Sequence, residues 1–212
     1  AMEAGVLDIV IGKGPAARTV QLELPPFTLI AATTRISLLS APLRSRFSGG
    51  TFRLAYYNDV ELAEILRRSA RILDIAVDEE SSMEIARRSR ATPRTANYLL
   101  KRARDFAEVS GEPLNIKTIK KALALLEIDE IGLNQTDRDI LSTIAEKFNG
   151  GPVGLKTIAA ALSEEEATIE EVNEPYLIQA GLLERTPRGR IVTPKGYEHI
   201  GVEPPRSQKS LI

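Results

Sequence analysis

The sequence predicts a mixed α/β segment over residues 1–57 followed by a mainly α remainder, and three observations carry that prediction. Alternating apolar and polar residues, the mark of strands, run through Leu7–Gly12 and Arg18–Leu24 in the first part. After that part, apolar residues recur at helical spacing in runs that open on capping residues. The chain then closes on three helical runs and a hairpin-like pair, the element order of a winged helix.

Leu7-Asp8-Ile9-Val10-Ile11-Gly12 and Arg18-Thr19-Val20-Gln21-Leu22-Glu23-Leu24 both alternate, with Gly12-Lys13-Gly14-Pro15 between them. They predict a β-hairpin with a turn-rich tip. Its apolar face either packs on a sheet as core or waits for a partner. Phe27–Ala32 is a short apolar run with β-branched members behind Pro25-Pro26, and it reads as a buried strand. Thr33, Thr34 and Arg35 then fall at its end. In parallel α/β sheets the ligand crevice lies outside the carboxyl ends of the strands, so hydroxyls there can face a phosphate or an attacking water. Arg44 and Arg46 follow. An arginine on such a rim can reach a neighbouring subunit's nucleotide and stabilise charge developing on its γ-phosphate. The plainer alternative has Thr33 and Thr34 ending a strand and the arginines forming surface ion pairs. Phe52–Tyr57 reads as another short strand.

Asn58-Asp59-Val60-Glu61 resembles a capping box opening a helix to about Leu73, with Leu62, Ile65, Leu66, Ala70 and Leu73 along one stripe. Asp78 opens a second helix to about Arg88. Thr92 and Pro93 fit the N-cap and first position of a third, which runs to a stop near Gly111. Asn115 opens a fourth, Ile116 to Leu126. These predict a small four-helix bundle over 58–129. Arg94 stands in the first turn of its helix, where the helix dipole disfavours a cation by about 0.3–1 kcal/mol. Its placement suggests a phosphate across a cleft, or else an ion pair with a nearby carboxylate.

Glu127 to Asn134 reads as a linker. Thr136-Asp137-Arg138-Asp139 caps a helix through Phe148, Asn149-Gly150-Gly151-Pro152 breaks it, and Leu155–Leu162 forms the next. Thr168-Ile169-Glu170-Glu171 is a capping box for a third helix ending before Gly181. Leu182–Arg185 and Arg190–Thr193 flank Thr186-Pro187-Arg188-Gly189 as a hairpin. This predicts a winged helix over 130–205 and a flexible tail over 206–212. The third helix and its approach carry Glu164, Glu165, Glu166, Glu170, Glu171 and Glu174, which would face a phosphate wall in a DNA groove. The wing is the opposite: Arg185, Arg188, Arg190 and Lys195 occur with no acidic residue among them. Cations at a hairpin tip hold phosphates without reading bases, although a solvated basic turn has the same composition.

Composition excludes several functions. The 212 residues are 43% apolar and 27% charged with a formal net charge of −1, so no global basic field draws the chain to nucleic acid and any grip must be local. There is no cysteine and a single histidine, His199, which removes disulfides and thiolate or multi-histidine zinc sites. No metal site is expected. No apolar run approaches the roughly 18 residues of a membrane span, and a cytoplasmic, membrane-free setting is the default expectation.

ATTR followed by PLRSRF, then ATPRTAN at 91–97 and NGGPVGLKTIAAAL…EPYLIQAGLLERTPRGR, closely resembles the RuvB family of AAA+ motors, over about Leu7 to Gly201. The resemblance implies the C-terminal part of an AAA+ core, an AAA+ lid made by the four-helix bundle, and a winged helix on DNA. It implies a hexameric ring that hydrolyses ATP with Mg²⁺ between subunits to drive Holliday junction branch migration. Four-way junctions and double-stranded DNA would be substrates, RuvA a partner, and RuvC a further candidate partner. By position, Thr34 matches the first sensor, Arg94 the second-sensor arginine with Ala91 where glycine is expected, Arg46 the arginine acting on the next subunit, and Tyr57 a nucleotide contact. Ser48-Gly49-Gly50 after Phe47 departs from the family's usual RFG. Arg185 and Arg190 match wing contacts to DNA, Arg188 is placed for the same role by position, and Ile9 and Ile11 lie on the hairpin that would meet RuvA. No GxxxxGK[ST] occurs in these residues, so the chain by itself is expected to bind no ATP or Mg²⁺ and to lack meaningful ATPase. The rivals are a non-enzymatic winged-helix DNA-binding regulator or adaptor, which would bind selected sequences independently of nucleotide, and a purely structural interaction domain without DNA affinity.

Overall fold

The computed structural model describes residues 4–14, 17–47 and 49–205, in two units, Ala1–Ala55 and Tyr56–Ile212. Pro15 of the predicted turn, Ser48 of the Ser-Gly-Gly departure and the predicted tail 206–212 lie outside the described residues.

In the first unit β1 (Val6–Ile11) and β2 (Arg18–Glu23) pair antiparallel, with Leu7 opposite Leu22, Ile9 opposite Val20 and Ile11 opposite Arg18. Side chains alternate faces along a strand, so Leu7, Ile9, Val20 and Leu22 share one face. All four remain exposed. A 3-10 turn, Ile36–Leu38, and the short helix α1 (Ala41–Ser45) follow. The two other predicted strands do not form. Phe27–Ala32 and Phe52–Tyr57 are irregular and largely exposed. A strand is a partnership of backbone donors and acceptors, and neither run finds a second strand among the described residues.

The second unit holds α2 (Asp59–Ile72), α3 (Glu79–Arg87), α4 (Pro93–Ser110) and α5 (Ile116–Leu125). Asn58 and Glu61 exchange bonds in the capping box that opens α2. Asp78 opens α3 by accepting from the Ser81 amide at 2.7 Å, and that bond holds its carboxyl below the ordinary value. The cap's contribution is therefore present above the unfolded pKa and fades as pH falls through the lowered one. Thr92 occupies the N-cap position of α4, but its hydroxyl meets the Thr95 hydroxyl and the Ser89 carbonyl, not a backbone N–H. Leu62, Leu66, Ile85, Leu99, Leu100, Ile119 and Leu123 make the buried core of the bundle. Burying each such side chain contributes roughly 1.5–3 kcal/mol.

A second core lies in the remaining helices, around Leu133, Ile140, Leu141, Ile144, Ile158, Leu177 and Tyr197. Helix α6 (Gln135–Ser142) continues as a π turn over Thr143–Lys147, and α7 spans Leu155–Leu162. Thr136 does not cap α6. Asn134 does, in a reciprocal box with Asp137, because only a residue three before Asp137 can exchange bonds with it. Nor does Thr168 cap a helix: it has helical angles inside a run that starts earlier, α8 (Glu166–Thr168), a π turn (Ile169–Asn173) and α9 (Glu174–Gln179). Strands β3 (Leu183–Thr186) and β4 (Gly189–Val192) form the predicted hairpin. A further helix, α10 (Pro194–Ile200), was not foreseen, although Thr193-Pro194 carries its signal: Thr193 accepts from the Gly196 amide and proline takes the first helical position.

The loop between α3 and α4 is strained. Arg90 and Ala91 both have left-handed backbone, with φ of 52° and 54°. Such angles cost a side-chain-bearing residue roughly 1–2 kcal/mol and cost glycine almost nothing, which is a physical reason to expect glycine at the position of Ala91. Ala91→Gly is expected to raise unfolding stability by about 1 kcal/mol, read as a higher urea midpoint at unchanged slope.

Candidate nucleic-acid interface

The wing is built so that its tip is fixed from behind. Pro187 and Arg188 form the two-residue turn, with Thr186 and Gly189 as the closing pair and the Thr186 hydroxyl donating to the Gly189 carbonyl at 2.8 Å. Val153 adds a third strand edge: its N–H donates to Arg190 O at 3.0 Å and its carbonyl accepts from Arg190 N at 2.8 Å. Gly189 (φ +137°) sits under this edge, where a Cβ would come within 2.4 Å of the Val153 carbonyl oxygen.

The four wing cations have different environments. Arg188, at the turn, is exposed and makes no ion pair among the described residues. Arg185 is also exposed and meets Glu170 at 3.1 Å, with both side chains open to solvent (55% and 43%). Arg190 sits otherwise than the sequence suggests. Its Nε and Nη2 hold both oxygens of Glu174 at 3.0 Å, and only 11% of its side chain and 2% of that of Glu174 are accessible. A buried bidentate pair is a strut more than an available contact. Lys195 donates to the Ala180 carbonyl at 2.8 Å. The wing is free of acid in sequence but not in space, because the acidic helical run behind it supplies Glu170 and Glu174. Sequence reasoning missed these partners, since a run of glutamates does not disclose which of them face an arginine on another element.

The residues matched to nucleotide contacts lie on both units. On the first, Thr34 is exposed just beyond Thr33, whose hydroxyl oxygen accepts from the Arg35 amide at 3.0 Å. Arg46 is the C-cap of α1, with its amide on the Leu43 carbonyl and an exposed side chain. On the second, Tyr57 is exposed immediately before the α2 cap. Arg94 occupies the first turn of α4, exposed and without an ion pair among the described residues. The ion-pair alternative for Arg94 is thus not realised here. Guanidinium and hydroxyl donors suit phosphate oxygens. They do not suit a metal, and among the described residues no group of three or more His, Cys, Asp or Glu is gathered to hold one. Ile9 and Ile11 sit on one face of the hairpin, 40% and 58% exposed.

The contrast between the two wing ion pairs can be measured. Glu174→Ala is expected to cost about 3–5 kcal/mol by leaving the buried guanidinium unpaired, whereas Glu170→Ala should change stability by less than about 1 kcal/mol. Urea unfolding of both variants checks this, and equal costs would remove the strut assignment.

Comparison with known proteins places this geometry in context. The family model for the RuvB C-terminal winged helix domain matches residues 130–201, that for the RuvB AAA lid domain residues 57–129, and that for the Holliday junction DNA helicase RuvB P-loop domain residues 1–54. The last match is to the domain, since these residues contain no GxxxxGK[ST]. Among solved structures, the chain is similar to Thermotoga maritima RuvB, described as a Holliday junction branch migration motor, at 50% identity and a TM-score of 0.78, over 86% of this chain and 61% of that one. A variant of the same Thermotoga protein matches at 49% identity and a TM-score of 0.79, over 87% and 62%. The chain spans about three fifths of the length of these relatives. No described helix is long and apolar enough to cross a membrane. With successive domain models of one family covering nearly its whole length in order, this chain belongs to the RuvB family.

Proposed function

We propose that this chain acts in an ATP-dependent DNA translocase that drives branch migration of Holliday junctions in recombination and repair, as a subunit of a hexameric ring. The observation that carries the reading is the wing. Its tip offers the exposed guanidinium of Arg188 and, beside it, Arg185, whose partner Glu170 is a solvent-exposed carboxylate that a phosphate can replace at little cost. The acidic helical run behind the tip is unsuited to a groove. Such a surface grips phosphates and ignores base identity, which a motor that must pass over every sequence requires. Arg190 enters as the strut that sets the angle of the tip.

In the ring, bound ATP with Mg²⁺ supplies the phosphoryl chemistry. Arg94 meets a phosphate from the lid side, Tyr57 contacts the nucleotide at the start of the lid, the Thr34 hydroxyl orients water or senses the γ-phosphate, and Arg46 reaches the site of the next subunit. The exposed face of Leu7, Ile9, Val20 and Leu22 suits docking of an apolar partner surface, here RuvA, with RuvC as a further partner of the assembled complex.

Binding to a four-way junction and to unrelated linear duplexes, titrated with salt, tests the wing. The double variant Arg185→Ala/Arg188→Ala should lower the log–log salt slope by about 2, near 0.9 for each lost phosphate contact, with little preference among sequences. An unchanged slope, or strong selection of one duplex, would favour the regulator reading. For the hairpin, Ile9→Ser/Ile11→Ser is expected to abolish binding to RuvA while the circular dichroism spectrum is retained. Undiminished binding would remove the hairpin from the interface.

A further inference from the structure

Arg90 makes a set of contacts that DNA and nucleotide binding leave unused. It lies in the loop between α3 and α4, four residues before Arg94, and its side chain reaches into the winged helix. Nη1 meets Asp137 Oδ2 at 3.2 Å, Nη2 donates to the Val172 carbonyl at 3.1 Å, and the guanidinium lies 4.7 Å from the centre of the Tyr176 ring. The socket is itself fixed. Asp137 has no exposed surface, caps α6 with Asn134, and accepts from Asn173 Nδ2 at 2.8 Å. The Tyr176 hydroxyl donates to the Ile131 carbonyl.

The linker between bundle and winged helix is held from both sides as well. Arg88 donates to the Ile128 carbonyl from the bundle, while Arg138 donates to the Glu127 and Leu133 carbonyls from the winged helix. Asp129 takes the Ile131 and Leu133 amides and meets His199 at 2.8 Å. A linker bonded at so many points is a splint. Arg90 bridges past it, and its left-handed backbone is the strained conformation expected where surrounding contacts over-determine a residue.

We infer that Arg90 is a positioning residue that locks the winged helix to the helical bundle, so that a displacement imposed on the loop at Arg94 is delivered to the wing as movement of one rigid body. The mechanical consequence rests on the function proposed above. The geometry does not. Arginine suits the task because one planar group can pair with a carboxylate, donate to a carbonyl and stack on a ring together. Lysine can satisfy one of these at a time.

Residual dipolar couplings of backbone amides in the whole 212-residue chain test this. The expected result is one alignment tensor for residues 57–129 and 130–201 in the wild-type chain. In Arg90→Ala the shared tensor should be lost, with amide shifts of the two cores around Leu99 and Leu141 unchanged, and Arg90→Lys should restore it at most in part. Two tensors in the wild-type chain, or a single undisturbed tensor in Arg90→Ala, would overturn the inference. Should Arg90→Ala fail to fold, the wild-type chain and Arg90→Lys decide: one tensor in the former and its partial or complete loss in the latter support the lock, and any other pair of results overturns it. Duplex binding is read in parallel and should be the same in wild type and Arg90→Ala, because the wing is untouched. Absence of duplex binding in the wild-type chain would sink the motor reading while leaving the one-body result standing.

Discussion

A carboxylate with no access to water must be bonded from the protein on every side, and Asp137 imposes that constraint on the second unit. One oxygen closes the cap that starts α6 and receives Arg90; the other takes the Asn173 amide from the π turn behind the wing. The first helix of the winged helix, the acidic run and the loop leading to Arg94 thereby converge on one group. Charges removed from solvent are costly unless fully paired, so the three elements are held to a single arrangement more strictly than apolar packing alone would hold them.

The same economy of charge shapes the wing. Four cations occur in a short hairpin and its flank, yet the acidic run opposite neutralises one deeply and one at the surface. Arg190 is spent on fixing the hairpin, Lys195 on closing the end of α9, and the cationic surface that remains is narrow: Arg188 with Arg185 beside it. A chain of near-zero net charge thus presents a local positive edge without a field over its whole surface.

Helix positions in the bundle were legible because their signals are local: Asn58, Asp78 and Asn115 cap within one turn of themselves. The first hairpin is legible from alternation around a turn-rich tip, and the wing from Thr186-Pro187-Arg188-Gly189 between two short stretches. What failed was whatever depended on a distant partner. Phe27–Ala32 and Phe52–Tyr57 have strand composition but no neighbouring strand among the described residues. Thr136 and Thr168 have capping chemistry, but Asn134 and the earlier start at Glu166 take those roles. For the site, the residue types of the wing could be read and their pairing could not, so Arg190 looked like Arg188. Arg90 carried no signal at all, because Val172, the carbonyl it binds, lies 82 residues further along the chain.

The Val153 edge on the wing bears on how the protein would withstand force. A load applied at the Arg188 turn draws β3 and β4 the same way, so it does not slide one past the other and bears instead on whatever ties the hairpin to the rest of the fold. A strand drawn lengthwise past a neighbouring element must break the bonds across that edge together instead of one after another. The Val153 bonds to Arg190 and the two Arg190–Glu174 contacts are those ties. The hairpin is therefore tied most firmly at Arg190, two residues behind Arg188, the arrangement of a hook whose shank is reinforced near the bend.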